Sequence, residues 1–103
     1  MNKNFDIIIY GATGFTGQLC VQYLSNNADA INWAIAGRNK NKLEDLKSRL
    51  SLDVDIFIAG SDDHEALDEI TKNTKVVLST AGPFHRYSSN LVKSCVKNSS
   101  HYV

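Results

Sequence analysis

Apolar residues alternate along this chain between two rhythms. Short, nearly unbroken runs stand at residues 6–10 (DIIIY), 33–36 (WAIA), 54–59 (VDIFIA) and 75–80 (KVVLST). Runs of that length and continuity are expected of strands covered on both faces. Between them the spacing lengthens to three and four. Residues 16–25 put Leu19, Tyr23 and Leu24 on one helical face, and residues 40–50 do the same with Leu43, Leu46 and Leu50. A third helix follows residue 62 with Leu67 and Ile70 toward the core, and a fourth spans 89–97 with Leu91, Val92, Cys95 and Val96. "HYV" at 101–103 begins a fifth strand. Asn39 is placed as the N-cap of the second helix, and Asp62 with Glu65 as a capping box for the third. Strictly alternating strands and helices predict an α/β fold, a doubly wound parallel sheet with right-handed crossovers.

The junction of the first strand and helix reads "YGATGFTGQL". Gly11, Gly14 and Gly17 fall three apart there. In a βαβ unit the first such glycine permits the tight turn off the strand. The second lets a pyrophosphate approach the backbone, and the third lets the helix pack closely on the sheet. The helix N-terminus then offers free N–H groups and a partial positive charge to the phosphates. Thr13, Phe15 and Thr16 fill the gaps, the threonines adding hydroxyl or amide donors. The spacing is G-x-x-G-x-x-G, not the commoner G-x-G-x-x-G. Its weight comes from lying between a buried strand and a helix in a repeating βα chain. The alternative is a tight turn with no ligand.

About twenty residues past these glycines an NAD-binding fold places Asp or Glu on the ribose 2′-hydroxyl. Here that stretch is "AIAGRNKNK", with no carboxylate and with Arg38 at the strand end. Asn39 lies beside it. A guanidinium holds a 2′-phosphate with its planar fork, so the expected cofactor is NADP(H) rather than NAD. The bland reading of Arg38 is a solvated residue before a helix. At the end of the fourth strand, "STAGPFHRY" places Ala81, Gly82 and Pro83 near the ribose and nicotinamide, or else in an ordinary turn. Asp62 is positioned for the adenine amino group, although capping alone accounts for it.

Composition narrows the remaining options. The 103 residues have a formal net charge of zero, which gives nucleic acid or an anionic membrane no overall attraction. The longest apolar runs are too short to span a bilayer. Cys20 and Cys95 lie in predicted helices, far apart and without metal-like spacing, and read as buried reduced thiols of a cytoplasmic protein. His64, His85 and His101 are isolated, and Tyr87 is followed by "SSNL" where a Tyr-x-x-x-Lys pair would need lysine. No catalytic residue and no metal ligand is assigned.

Four stretches together, "YGATGFTG", "WAIAGRNKNKLE", "VVLSTAGPFHRYSSNLVKSC" and "HYV", resemble the N-terminal part of the saccharopine dehydrogenase-like oxidoreductases, including the trans-acting enoyl reductase type. The resemblance implies a Rossmann-like domain over residues 1–103 that binds NADP(H). It implies Gly11, Gly14 and Gly17 at the pyrophosphate, Arg38 at the 2′-phosphate and Gly82-Pro83 near the nicotinamide. The chain departs from the family at Gly60, where an acidic residue is usual, and at Ser88, where glycine is usual. Family members continue past "HYV" into a substrate and dimerisation domain, so the sheet is expected to be truncated at about its fifth strand. The expected function is the NADP(H)-binding part of an oxidoreductase acting by hydride transfer, not catalytic by itself. The alternative is a non-catalytic NADP(H)-sensing module. Self-association through the surface left uncovered is also expected.

Overall fold

Three consecutive isoleucines decide how the sheet is sandwiched. In the computed structural model, which describes residues 4–27, 31–60, 63–79 and 101–102, strand β1 (Phe5–Tyr10) is the middle of a five-stranded sheet. Successive side chains of a strand point to opposite faces. Ile8 and Tyr10 therefore enter one apolar cluster, with Ala34, Ala36 and Val77, while Ile9 enters the other, with Trp33 and Ile35. Both layers are apolar, and that explains the unbroken run.

The other elements are β2 (Trp33–Gly37), β3 (Asp55–Ile58), β4 (Thr74–Ser79) and β5 (His101–Tyr102), with helices α1 (Phe15–Asn27), α2 (Lys40–Arg49) and α3 (His64–Asn73). Strand order is β3-β2-β1-β4-β5, and every pair is parallel. Helices α1 and α2 cover one face through Val21, Leu43 and Leu46, and α3 covers the other through Leu67 and Ile70. This is the expected Rossmann-like, doubly wound α/β sheet, with its turn of direction between β1 and β4. The sequence-predicted helix at 89–97 and the loop before it lie outside the described residues.

Two expectations are corrected. Leu19 and Tyr23 do not face the core: they are 52% and 67% exposed, whereas Val21 is fully buried and Leu24 partly so. The buried Gly17 sets the line of closest approach to the sheet. Val21 and Leu24, four and seven residues on, share that line; Leu19 and Tyr23, two and six residues on, point away. Cys20, expected to be buried, is a half-buried free thiol at the flank of the same contact. The second correction concerns α3. Its N-cap is Asp63, whose carboxylate accepts from the Ala66 N–H at 3.1 Å, so Glu65 stands one position short of a capping box. The helix starts one residue later than the pattern suggested, and Asp62 lies outside the described residues.

At the end of the sheet remote from the glycines, Asp6 joins three strands. One carboxylate oxygen accepts from the Asn32 N–H just before β2 at 3.2 Å, and the other pairs with Lys75 of β4 at 3.2 Å. Helix α2 begins at Asn39 as expected, the side chain accepting from the Lys42 N–H at 3.1 Å. It ends in a Schellman turn, with Leu52 N–H donating to Lys47 O and Ser51 N–H to Ser48 O. The residue that turns the chain is Ser51, at φ 53°, where glycine is the usual occupant. Left-handed backbone costs an L-residue about 1 kcal/mol or more. Ser51→Gly is therefore expected to raise the unfolding midpoint by several degrees, by about 4–8 °C per kcal/mol in a domain of this size. An unchanged or lowered midpoint in thermal denaturation would contradict this account of the turn.

Candidate functional site

The C-terminal ends of β1, β2 and β3 are drawn together by backbone hydrogen bonds. Gly11 N–H and Ala12 N–H both donate to Ala36 O, at 2.9 and 3.2 Å, and Ala59 N–H donates to Gly37 O at 2.8 Å. Those bonds bring the glycine turn, Arg38 and the Ala59–Gly60 turn to one edge of the sheet. In parallel α/β sheets this is the edge where ligands bind.

The turn itself is built by Gly11, at φ 83°, which a side chain would strain. Gly14 N–H then donates to Gly11 O at 3.1 Å, and Gly14 O accepts the first helical bond of α1, from Gln18 N–H at 2.9 Å. The Gln18 amide also donates to Thr13 O at 2.9 Å. Gly14 thus stands at the cap of α1 with no side chain to offer. The N–H groups of Phe15, Thr16 and Gly17 in the first turn have no partner within the helix. The other two described helices differ: α2 is capped by Asn39, and α3 by Asp63 with Glu65 in its first turn. The first turn of α1 has no acidic residue. Its dipole and its amides are left for an external anion.

The fit of a nucleotide can be tested at Gly14. A Cβ built there would meet only Gly11 O, at 3.5 Å, an ordinary contact, and the residue is exposed. The described residues therefore do not require glycine at this point, and its backbone lies open for close approach from outside. Gly17, by contrast, is buried under the helix. This exposed backbone, with first-turn amides that have no partner within the helix, suits a pyrophosphate.

The remaining candidates fall as follows. Thr13 is half-buried; Phe15 and Thr16 are exposed at the first turn, Phe15 at 83%. Arg38 is exposed immediately after β2. Asn39 commits its side-chain oxygen to Lys42, which leaves its amide nitrogen for any further contact. A Cβ added at Gly60 meets nothing within 4 Å, so the acidic residue usual in the family would have room. Asp62, Ala81, Gly82 and Pro83 lie outside the described residues. His64 is exposed at the start of α3. Among the described residues, no group of three or more His, Cys, Asp or Glu is placed to hold a metal ion.

Sequence reasoning missed Tyr10. It is 2% exposed, and its hydroxyl donates to Ala59 O at 2.8 Å. Burial pushes its phenol up from the ordinary value, and the nearby Arg38 charge opposes that rise. The available signal was a tyrosine, rather than another isoleucine, as the last strand residue, facing two alanines of β2.

Comparison with known proteins agrees with this geometry. Residues 7–103 match the saccharopine dehydrogenase NADP binding domain. A trans-acting enoyl reductase of Mycobacterium tuberculosis is 33% identical over 98% of this chain and 25% of its own length. A lipid droplet localized protein of Caenorhabditis elegans is 33% identical over 98% of this chain and 26% of its own. The chain thus spans about a quarter of the length of these relatives. Among solved structures, apo saccharopine dehydrogenase (L-Glu forming) from Saccharomyces cerevisiae superposes with a TM-score of 0.79 at 23% identity, over 95% of this chain and 21% of that one. The order of strands, the open glycine cradle and the match over residues 7–103 together make the chain a member of the saccharopine dehydrogenase NADP-binding domain family, whose cofactor is NADP(H).

Proposed function

We propose that residues 1–103 are the cofactor-holding part of an oxidoreductase, with the NADP(H) pyrophosphate on the first turn of α1 and the 2′-phosphate at Arg38. The observation that carries this is Gly14, an exposed glycine whose added Cβ would meet only Gly11 O among the described residues, beside first-turn amides of α1 that have no partner within the helix. Gly11 sets the turn, Gly17 brings the helix close, and Thr13, Phe15 and Thr16 border the phosphates. Asn39 and Asp62 are assigned to the adenosine end, and Ala81, Gly82 and Pro83 to the nicotinamide. When bound, the cofactor supplies or accepts a hydride. The chain's own task is to bind and orient it, and the substrate is positioned by other parts of the whole protein.

Calorimetric titration with NADPH and NADH side by side tests the assignment. Charge-assisted hydrogen bonds contribute about 1.5–3 kcal/mol each. Arg38→Ala should therefore weaken NADPH about tenfold or more and leave NADH within about twofold. Gly14→Ser, a favoured N-cap residue, should fold at least as stably yet lose both nucleotides. Equal affinity of the unaltered chain for NADPH and NADH would overturn the 2′-phosphate assignment.

We also propose that the chain self-associates through the outer face of α1. Phe15, Leu19 and Tyr23 recur there every fourth residue, all more than half exposed, on a helix whose sequence FTGQLCVQYLSNN has no charged residue. Sedimentation velocity should show mass rising with concentration, and Leu19→Lys should hold the chain monomeric. A monomer at the highest soluble concentration removes the proposal.

Finally, we place the protein in the cytoplasm. No described helix is long and apolar enough to cross a membrane, and Cys20 is a free thiol. The nematode relative's name points to the rival location. Co-flotation of the whole protein with lipid droplets would decide for that rival.

A further inference from the structure

Tyr10 is the last residue of β1, immediately before the glycine turn, and its neighbours give no reason for a hydroxyl. Ile8, Ala34, Ala36, Leu67, Ile70 and Val77 surround it on the α3 face, and phenylalanine would fill the same volume. The hydroxyl has instead a specific main-chain partner. It reaches past Ala36, its register partner on β2, and donates to Ala59 O at 2.8 Å just beyond β3. Ala59 is held from its other side as well, its N–H donating to Gly37 O at 2.8 Å. Gly37 is the residue before Arg38. The turn after β3 is therefore fastened both to the backbone that carries Arg38 and to the strand that carries Gly11.

We propose that Tyr10 is a positioning residue for the 2′-phosphate end of the nucleotide, its buried hydroxyl fixing the Ala59 turn and holding Arg38 in place beside it. The inference rests on the reading of Arg38 as the 2′-phosphate ligand. Arg38 stands two residues after Ala36, the register partner of Tyr10, and its positive charge opposes the rise that burial gives the Tyr10 phenol. A phenol that donates to a carbonyl keeps the negative end of its dipole on oxygen, where a guanidinium is attracted to it. The Tyr10 hydroxyl bonds Ala59 O, beside Gly37 and Arg38, so its removal is expected to act on the phosphate-discriminating end.

Tyr10→Phe, checked for an unchanged far-UV spectrum and melting profile, separates this role from general packing. The expected result is NADPH binding weakened about fivefold, the effect of one lost hydrogen bond, with NADH affinity unchanged. In an Arg38→Ala background the same substitution should change neither affinity, because the coupling runs through Arg38. Equal weakening of both nucleotides, or an undiminished NADPH preference, overturns the proposal. If the unaltered chain shows no preference for NADPH, the Arg38 reading fails first and takes this one with it; a preference that survives Tyr10→Phe removes this one only. Should Tyr10→Phe not fold, the unaltered chain labelled with 13C at tyrosine Cζ gives a second readout. The Tyr10 resonance, assigned by replacing the other three tyrosines, should shift more on NADPH than on NADH. Equal shifts count against the role.

Discussion

One carbonyl holds the site together. Ala36 O, at the end of β2, accepts from both Gly11 and Ala12, and so fixes where the chain leaves β1 and in which direction it turns. Everything that follows depends on that double acceptance. Gly11 adopts its left-handed conformation at that point, and Gly14 then caps α1, whose first-turn amides have no partner within the helix. An alternative exit from β1 would leave the same residues in the sequence but no cradle between them. Because Ala36 also precedes Gly37 and Arg38, the carbonyl that orients the phosphate-binding helix lies two residues from the guanidinium assigned to the opposite end of the ligand.

The two faces of the sheet divide the labour. On the α1 and α2 face the packing is made by large aliphatic side chains, and the helices approach closely where Gly17 permits it. On the α3 face β2 presents Ala34 and Ala36, small enough for Tyr10 to pass over them to Ala59. Each buried aliphatic side chain contributes about 1.5–3 kcal/mol. The polar ties at the edge contribute less energy, and they set geometry. A domain of this kind is stabilised by its faces and made specific by its rim.

Much of this was legible in the sequence, for reasons that differ by element. The strands were visible because burial on both faces removes polar residues from them, and α2 was visible because Asn39, Leu43 and Leu46 mark its start and its inner face. Gly11 was legible because a turn at positive φ disfavours a side chain, and Gly17 because it is buried on the inner side of α1. The inner face of α1 was misread. Apolar Leu19 and Tyr23 looked like core, but a glycine contributes no hydrophobicity to a pattern while deciding which side touches the sheet. The cap of α3 was displaced by one residue because adjacent aspartates are equivalent until the helix axis is known. Tyr10 was not seen because its partner is a main-chain oxygen forty-nine positions away, and backbone partners leave no mark in composition.

The clasp at Asp6 has a consequence at the far end of the molecule. Its carboxylate is held below the ordinary value of 3.8, first by the Asn32 N–H and then by Lys75, slightly opposed by desolvation. A carboxyl whose folded value is depressed supports the native state above its unfolded value and ceases to do so as pH falls through the folded one. Acid strong enough to protonate Asp6 therefore removes its ties to the Asn32 N–H and to Lys75, while the carbonyl–amide bonds at the rim carry no titratable group. Because the folded value lies below 3.8, mild acidification leaves the clasp intact, and the foot of the sheet keeps β1 tied to the start of β2 and to β4 until the solution is strongly acidic.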